Sequence, residues 1–431
     1  MKNRASSTDE QIKNTWHTVI VYALITLLGF NLRSVILAVP PVLPLIQRDL
    51  ELSYTAAGLL TALPILMLGG GAWSVGLLVR RIGGRASVTI GLALLGAGAL
   101  LRAFIPGIFS LYLFTVLLSL GIAVAQTAVP VLARFWYPRH IGLVSALFTD
   151  GLIIGETTGA GVTVPLMVHL LGTDAWISTF IFWGVPVVAM LALWLWLAPR
   201  SSTRIPATSP ATSRGGPISR APHAKARVSA LHLGIMLGAG SLVYFGMNGW
   251  VASYNHAIHH EDLTPLALVI LNAAQLPASL GVTFFSQQIV GRRWPFIGAG
   301  IICTIAIIGW VFTPAVLEPL WAALLGGSSA LVFTLGIALP PLLAGPEEVA
   351  RLTGITFSLS YGVAFVGPFV GGSLWDIFHL PVMAFLPVAA AGITLVILGA
   401  LLPPRASFGF AVEGASVSES DAGVPTPRLS P

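Results

Sequence analysis

The chain has 431 residues, of which 55% are hydrophobic and only 9% charged, with a mean hydropathy of +0.88. A soluble domain carries nearer a quarter charged residues, so this composition excludes an ordinary globular protein and indicates an integral membrane protein. The net charge of +6 does not argue for nucleic acid, because the basic residues sit between apolar runs.

Counting apolar runs broken by charged or Pro/Gly-rich loops predicts twelve helical spans, each near the roughly 20 residues a bilayer needs. The first six lie near 18–45, 55–79, 86–104, 108–132, 141–170 and 175–198. The second six lie near 229–254, 265–290, 295–313, 319–343, 353–375 and 381–402. Residues 1–17 are polar, and the run after them is longer than a signal-peptide core with no A-x-A site near its end, so it reads as a retained first span. Residues 199–228, rich in Ser, Pro, Arg and Ala, read as a flexible cytoplasmic linker, and 403–431 as a disordered tail. Cys303 is the single cysteine, which excludes an internal disulfide and a cysteine metal cluster. No Lys follows a Gly, so a Walker loop is absent and no ATP or other cofactor is called for.

The loops predict the orientation. With both termini, the linker and the even-to-odd loops on one side, that side collects 19 Lys and Arg residues. The other receives Arg48 and Arg102, and Arg33 falls within the membrane. Cytoplasmic loops carry the Lys/Arg excess, so both ends are expected in the cytoplasm.

The chain also repeats itself. Gly29-Phe-Asn31-Leu-Arg33 is echoed by Gly246-Met-Asn248-Gly-Trp250, 217 residues on. Leu63-Pro64 answers to Leu276-Pro277, and Pro130 to Pro340. Gly151, Gly155 and Gly159, with Glu156 between them, lie over Val363, Gly367 and Gly371-Gly372, with Pro368 in the place of Glu156. Two parallel six-helix halves around a central site follow from such a repeat.

These motifs resemble the major facilitator superfamily. The loop Gly76-Leu-Leu-Val-Arg80-Arg81-Ile-Gly83-Gly84-Arg85 looks like its G-x-x-x-D-R-x-G-R-R gating signature, with Arg80 where the acid usually stands. Within the superfamily, Asn31-Leu-Arg33 followed by Pro41-x-x-Pro44, Thr61-Ala-Leu-Pro64 and Gln126-Thr-Ala-Val-Pro130 resemble the cyanate and 2-nitroimidazole transporter family. The resemblance implies an all-α membrane protein with cavity-lining helices 1, 4 and 7, and with helices 1 and 5 as neighbours.

Arg33 lies about 15 residues into its run, roughly 22 Å at 1.5 Å per residue, which puts an unneutralisable guanidinium in hydrocarbon. Glu156 stands at a similar depth in span 5. Two readings stay open: a structural ion pair, or an Arg33 that receives an anionic or electron-rich substrate while Glu156 responds by taking a proton. Asp150, nine residues into span 5 and off the Glu156 face, is a second proton site or a partner for polar groups. Asn31, Gln126, Tyr244, Asn248, Trp250 and Tyr361 are candidate substrate contacts or interhelical hydrogen bonds. The glycines at 151, 155, 159, 367, 371 and 372 are expected to let helices approach closely. The expectation is a secondary transporter, not an enzyme, whose partners are a small solute, the bilayer and protons. An exporter on the same fold, a polytopic membrane enzyme and a receptor are its rivals.

Overall fold

A computed structural model describes residues 2–105, 107–171, 175–200, 228–343 and 346–403, with residues 2–17, 71–77 and 167–170 among those described by backbone alone. The expected linker, from 201 to 227, and the expected tail beyond 403 lie outside the described residues.

Among the described residues there is no strand, and α-helices make twelve crossings. The first is a broken pair, α1 (Lys2–Leu37) and α2 (Val39–Leu50). Then come α3 (Tyr54–Ile82), α4 (Gly84–Phe104), α5 (Ile108–Trp136), α6 (Ile141–Leu171), α7 (Ala175–Leu197) and α8 (Ala230–Ala257). The eighth crossing is again a pair, α9 (Thr264–Ala273) and α10 (Gln275–Ile289). The last four are α11 (Trp294–Phe312), α12 (Glu318–Leu343), α13 (Pro346–Phe378) and α14 (Leu386–Leu401). Eleven crossings are long and apolar enough to span a bilayer over their described residues, and α3, at 29 residues, is apolar from Tyr54 to Gly70. Most helix boundaries fall within a few residues of those expected, but α2 runs on to Leu50 and α13 begins at Pro346, seven residues before the expected 353. The polar stretch before residue 18 differs, for α1 already begins at Lys2.

The break in the first crossing has a local cause. Pro40 and Pro41 carry no N–H, so the carbonyls of Ile36 and Leu37 lose their helical donors, and the chain turns at Ala38 before α2 starts. Large side chains such as Phe104, Phe109, Trp196, Phe284 and Phe312 are each more than half exposed and point out of the bundle, as lipid-facing positions do.

Small residues let the interior helices touch. A Cβ on Gly151, Gly155 or Gly159 of α6 would run into the backbone carbonyls of Thr26, Phe30 or Ser34 of α1. This i, i+4 stripe therefore packs α6 backbone to backbone against α1. Gly367, Gly371 and Gly372 do the same on α13: Gly367 against Leu242, Gly371 against Trp250 and the Ala384 carbonyl, Gly372 against the Tyr54 carbonyl.

The two halves, α1–α7 and α8–α14, meet where α3 lies along α13, α6 on α9, and α2 on α8. At the end of the bundle holding Tyr54, the interface is sealed. Tyr54 stacks on Trp375 with ring centroids 4.0 Å apart, and Trp250 leans on both rings. At the opposite end, where the linker joins, α6 touches α10 only marginally, and a Cβ on Gly142 or Gly281 would meet nothing within 4 Å. The halves are closed at the Tyr54 end, and α6 and α10 part at the other.

Candidate functional site

Arg33 reaches the interior because α1 is still regular there, five residues before the break at Ala38. Its side chain is 9% exposed and that of Glu156 7%, and Arg33 Nε stands 3.4 Å from Glu156 Oε1. The glycine stripe sets this distance, because Glu156 follows Gly155, which rests on the Phe30 carbonyl. The pair is close but not saturated: Arg33 Nε and Nη1 are both buried without a hydrogen-bond acceptor. Among the described residues, no other carboxylate pairs with Arg33.

The other half supplies the rest of the cluster. Gln275 Nε2 donates to Glu156 Oε2 at 3.2 Å, bridging the two halves. Tyr244 O–H donates to Asn272 Oδ1 at 2.7 Å, and Asn272 Nδ2 donates to Asn248 Oδ1 at 2.9 Å. Tyr244 also lies within side-chain reach of Glu156 and Gln275, and Tyr361 within reach of Arg33 and Gln126. Asn31 is buried and donates to the Leu27 carbonyl, while its Oδ1 and the Gln126 Oε1 have no partner. The result is a polar knot around one cation and one carboxylate, on the seam between the halves.

Two expected site residues lie elsewhere. Trp250 is fully buried in the seal, donating from Nε1 to the Pro368 carbonyl at 3.0 Å, because Gly371 and Gly372 open a slot that its indole fills. Asp150 is exposed, on a different face of α6 from its neighbour Gly151, which packs against Thr26 of α1. In the expected gating loop, Gly83 takes φ +87° to pass from α3 into α4, and Arg85 Nη2 donates to the Leu195 carbonyl at 3.1 Å. Arg81 is exposed, and the surroundings of Gly76 and Arg80 lie outside the described residues.

Gln275 and Asn272 were not singled out from the sequence. The signal available was the second helix break: Asn272-Ala-Ala-Gln275 sits one step before the repeated Leu276-Pro277, where α9 gives way to α10.

Residues 19–368 match the Major Facilitator Superfamily. The chain belongs to that superfamily. Over 87% of its length it is 27% identical to the uncharacterized transporter YycB of Bacillus subtilis (strain 168), covering 90% of it. It is 26% identical to the cyanate transport protein CynX of Escherichia coli (strain K12), over 87% of this chain and 95% of that one. It is 25% identical to the 2-nitroimidazole transporter of the same strain, over 83% and 88%. In three dimensions it superposes on the inward open xylose transporter XylE from E. coli with a TM-score of 0.70, over 92% of this chain and 97% of that one. At 13% identity that likeness speaks for the fold alone. The polar knot of this superfamily member lies where its two halves meet.

Proposed function

We propose that this superfamily member is a secondary active transporter that moves a small polar or anionic solute, cyanate- or nitroimidazole-like, across the cytoplasmic membrane by alternating access. One observation carries the reading: Arg33 is buried at the seam with two donor nitrogens that make no hydrogen bond, Nε, 3.4 Å from Glu156, and Nη1. A planar guanidinium offers paired N–H groups that suit a carboxylate, a nitro group or a linear anion. Asn31, Gln126, Tyr244, Asn248 and Tyr361 supply neutral donors and acceptors around it. The relatives named for cyanate and for 2-nitroimidazole transport support the size and polarity of the solute.

Coupling to protons follows from the pair. An anion docked on Arg33 removes the counter-charge of Glu156, and a carboxylate left alone in a low-dielectric site takes up a proton. Solute and proton then cross together. The charge asymmetry of the loops supports cytoplasmic termini, with six-helix halves at 18–198 and 229–402 joined by a cytoplasmic linker. On that orientation the Tyr54 seal faces outward.

The test is flux of cyanate and of 2-nitroimidazole into proteoliposomes, for the wild type and for Arg33→Lys. Lysine keeps the charge but loses the planar fork. The variant is expected to insert and fold while its uptake falls about tenfold or more, as losing one charge-assisted hydrogen bond of roughly 1.5–3 kcal/mol implies. Normal transport by Arg33→Lys removes Arg33 from recognition, and absence of flux for every solute in the wild type removes the transporter reading.

A further inference from the structure

A second buried arginine lies apart from the knot. Arg102 was counted with the charges of the far side of the membrane, at the end of the third span, yet it is 1% exposed, folded inward from the last turn of α4. Its guanidinium carbon lies 3.8 Å from the centre of the Phe180 ring, and Nη2 donates to the Val35 carbonyl over a long 3.4 Å. Val35 precedes the break in the first crossing, so this bond braces a weakened helix. The brace leaves the charge unanswered. Nε is buried without an acceptor, and no carboxylate pairs with Arg102 among the described residues.

A cation kept from water with only a carbonyl and a ring for company is costly unless an anion joins it. Beside it lies a cavity with room for a small occupant. Arg102 lines a narrow cavity with Thr61, Pro64, Thr115, Leu118 and Asn248. It leaves about 20 Å³ for the centres of water-sized particles, above the roughly 10–15 Å³ that a single water requires. Thr115 Oγ is a second buried group on this wall without a partner. The cavity abuts the knot through Asn248, and it reaches toward the seal through Gly249, next to Trp250.

We propose that this cavity is a second anion site, in which Arg102 and Thr115 hold one small, weakly hydrated monovalent anion between the central knot and the Tyr54 seal. Size excludes a nitroaromatic ring or a polyatomic metabolite. The mostly apolar wall excludes strongly hydrated ions, because it cannot replace the water they would shed. The site is independent of the reading of Arg33. It gives the sealed state a resting place for an anion one step outward of the knot.

Equilibrium dialysis of radiobromide against the purified full-length protein tests it. The wild type is expected to bind two ions, Arg102→Gln one, and Arg33→Gln one. Thr115→Val keeps the shape and removes the hydroxyl, so the affinity of one of the two sites should fall about tenfold while the protein stays folded. An unchanged count in Arg102→Gln, or unchanged affinity in Thr115→Val, overturns the site and leaves Arg102 a brace for the broken helix. If Arg102→Gln does not fold, the Thr115→Val result decides. A wild type that binds one ion, lost in Arg102→Gln but kept in Arg33→Gln, upholds this site and sinks anion recognition by Arg33.

Discussion

The carboxylate of Asp376 caps the first turn of α3, accepting from the backbone N–H groups of Tyr54 at 2.9 Å and Thr55 at 2.7 Å. The Thr55 hydroxyl adds a third bond at 2.6 Å. A helix start leaves its first N–H groups unpaired and carries partial positive charge, so a carboxylate there is stabilising. Here the cap comes from the opposite half of the protein, 321 positions along the chain. Ser53 supplies the local cap at 3.2 Å, to Ala56. The bond between halves is therefore additional to the one that the helix needs.

Removing it should loosen the seal. An N-cap contributes about 0.5–2 kcal/mol, so Asp376→Ala is expected to shift the balance toward the form open at the Tyr54 end by about 2- to 30-fold. A cysteine at Thr61, in a Cys303→Ser background, reports this as faster labelling by an impermeant maleimide added at the Tyr54 side. Unchanged labelling means that the stack of Tyr54, Trp375 and Trp250 holds the seal without the carboxylate.

Glu156→Gln mimics the protonated acid and keeps an acceptor for Gln275. It should still exchange solute in counterflow but no longer accumulate it under a pH gradient. Both assays run on the same proteoliposomes. Retained pH-driven accumulation makes Glu156 a structural counter-ion.

The glycines of α6 separate packing from propensity. Gly155→Ala forces a methyl into the Phe30 carbonyl, and overpacking of this kind costs about 1–3 kcal/mol or more. Gly142→Ala, on the same helix with open space around it, should be neutral or stabilising by up to about 1 kcal/mol. Thermal unfolding of the two purified variants followed by size-exclusion chromatography checks the contrast, and equal melting points refute the backbone-to-backbone contact.

Topology is checked by two reporters. One fused after Arg214 should lie in the cytoplasm, and one inserted after Asp262 outside. Finding both on one side breaks the twelve-crossing arrangement.

Depth in the membrane was legible in the sequence, because a helix rises by a constant amount per residue. That is how Arg33 and Glu156 could be matched before any contact was known. Direction around the helix was less legible. Trp250 and Asn248, two residues apart, go to the seal and to the knot. Asp150, six residues before Glu156 and so on another face of the helix, is exposed. Arg102 was counted with the charges of the far side because it stands two residues from the end of its helix, whereas α4 turns it inward over Phe180.

The amino-acid sequence by itself determined the membrane class, the twelve crossings, the two-half repeat and the presence of a buried cation with a carboxylate at its level. Those properties follow from hydropathy, period and charge, all of which are local. Only the tertiary structure decided which groups cross the seam, Gln275 to Glu156 and Asp376 to the start of α3, and that Arg102 folds inward over Phe180. The two contacts across the seam join residues more than a hundred positions apart, and they depend on how closely glycine-lined helices approach and how the halves tilt. No local pattern encodes that tilt, because it is set by packing summed over both halves.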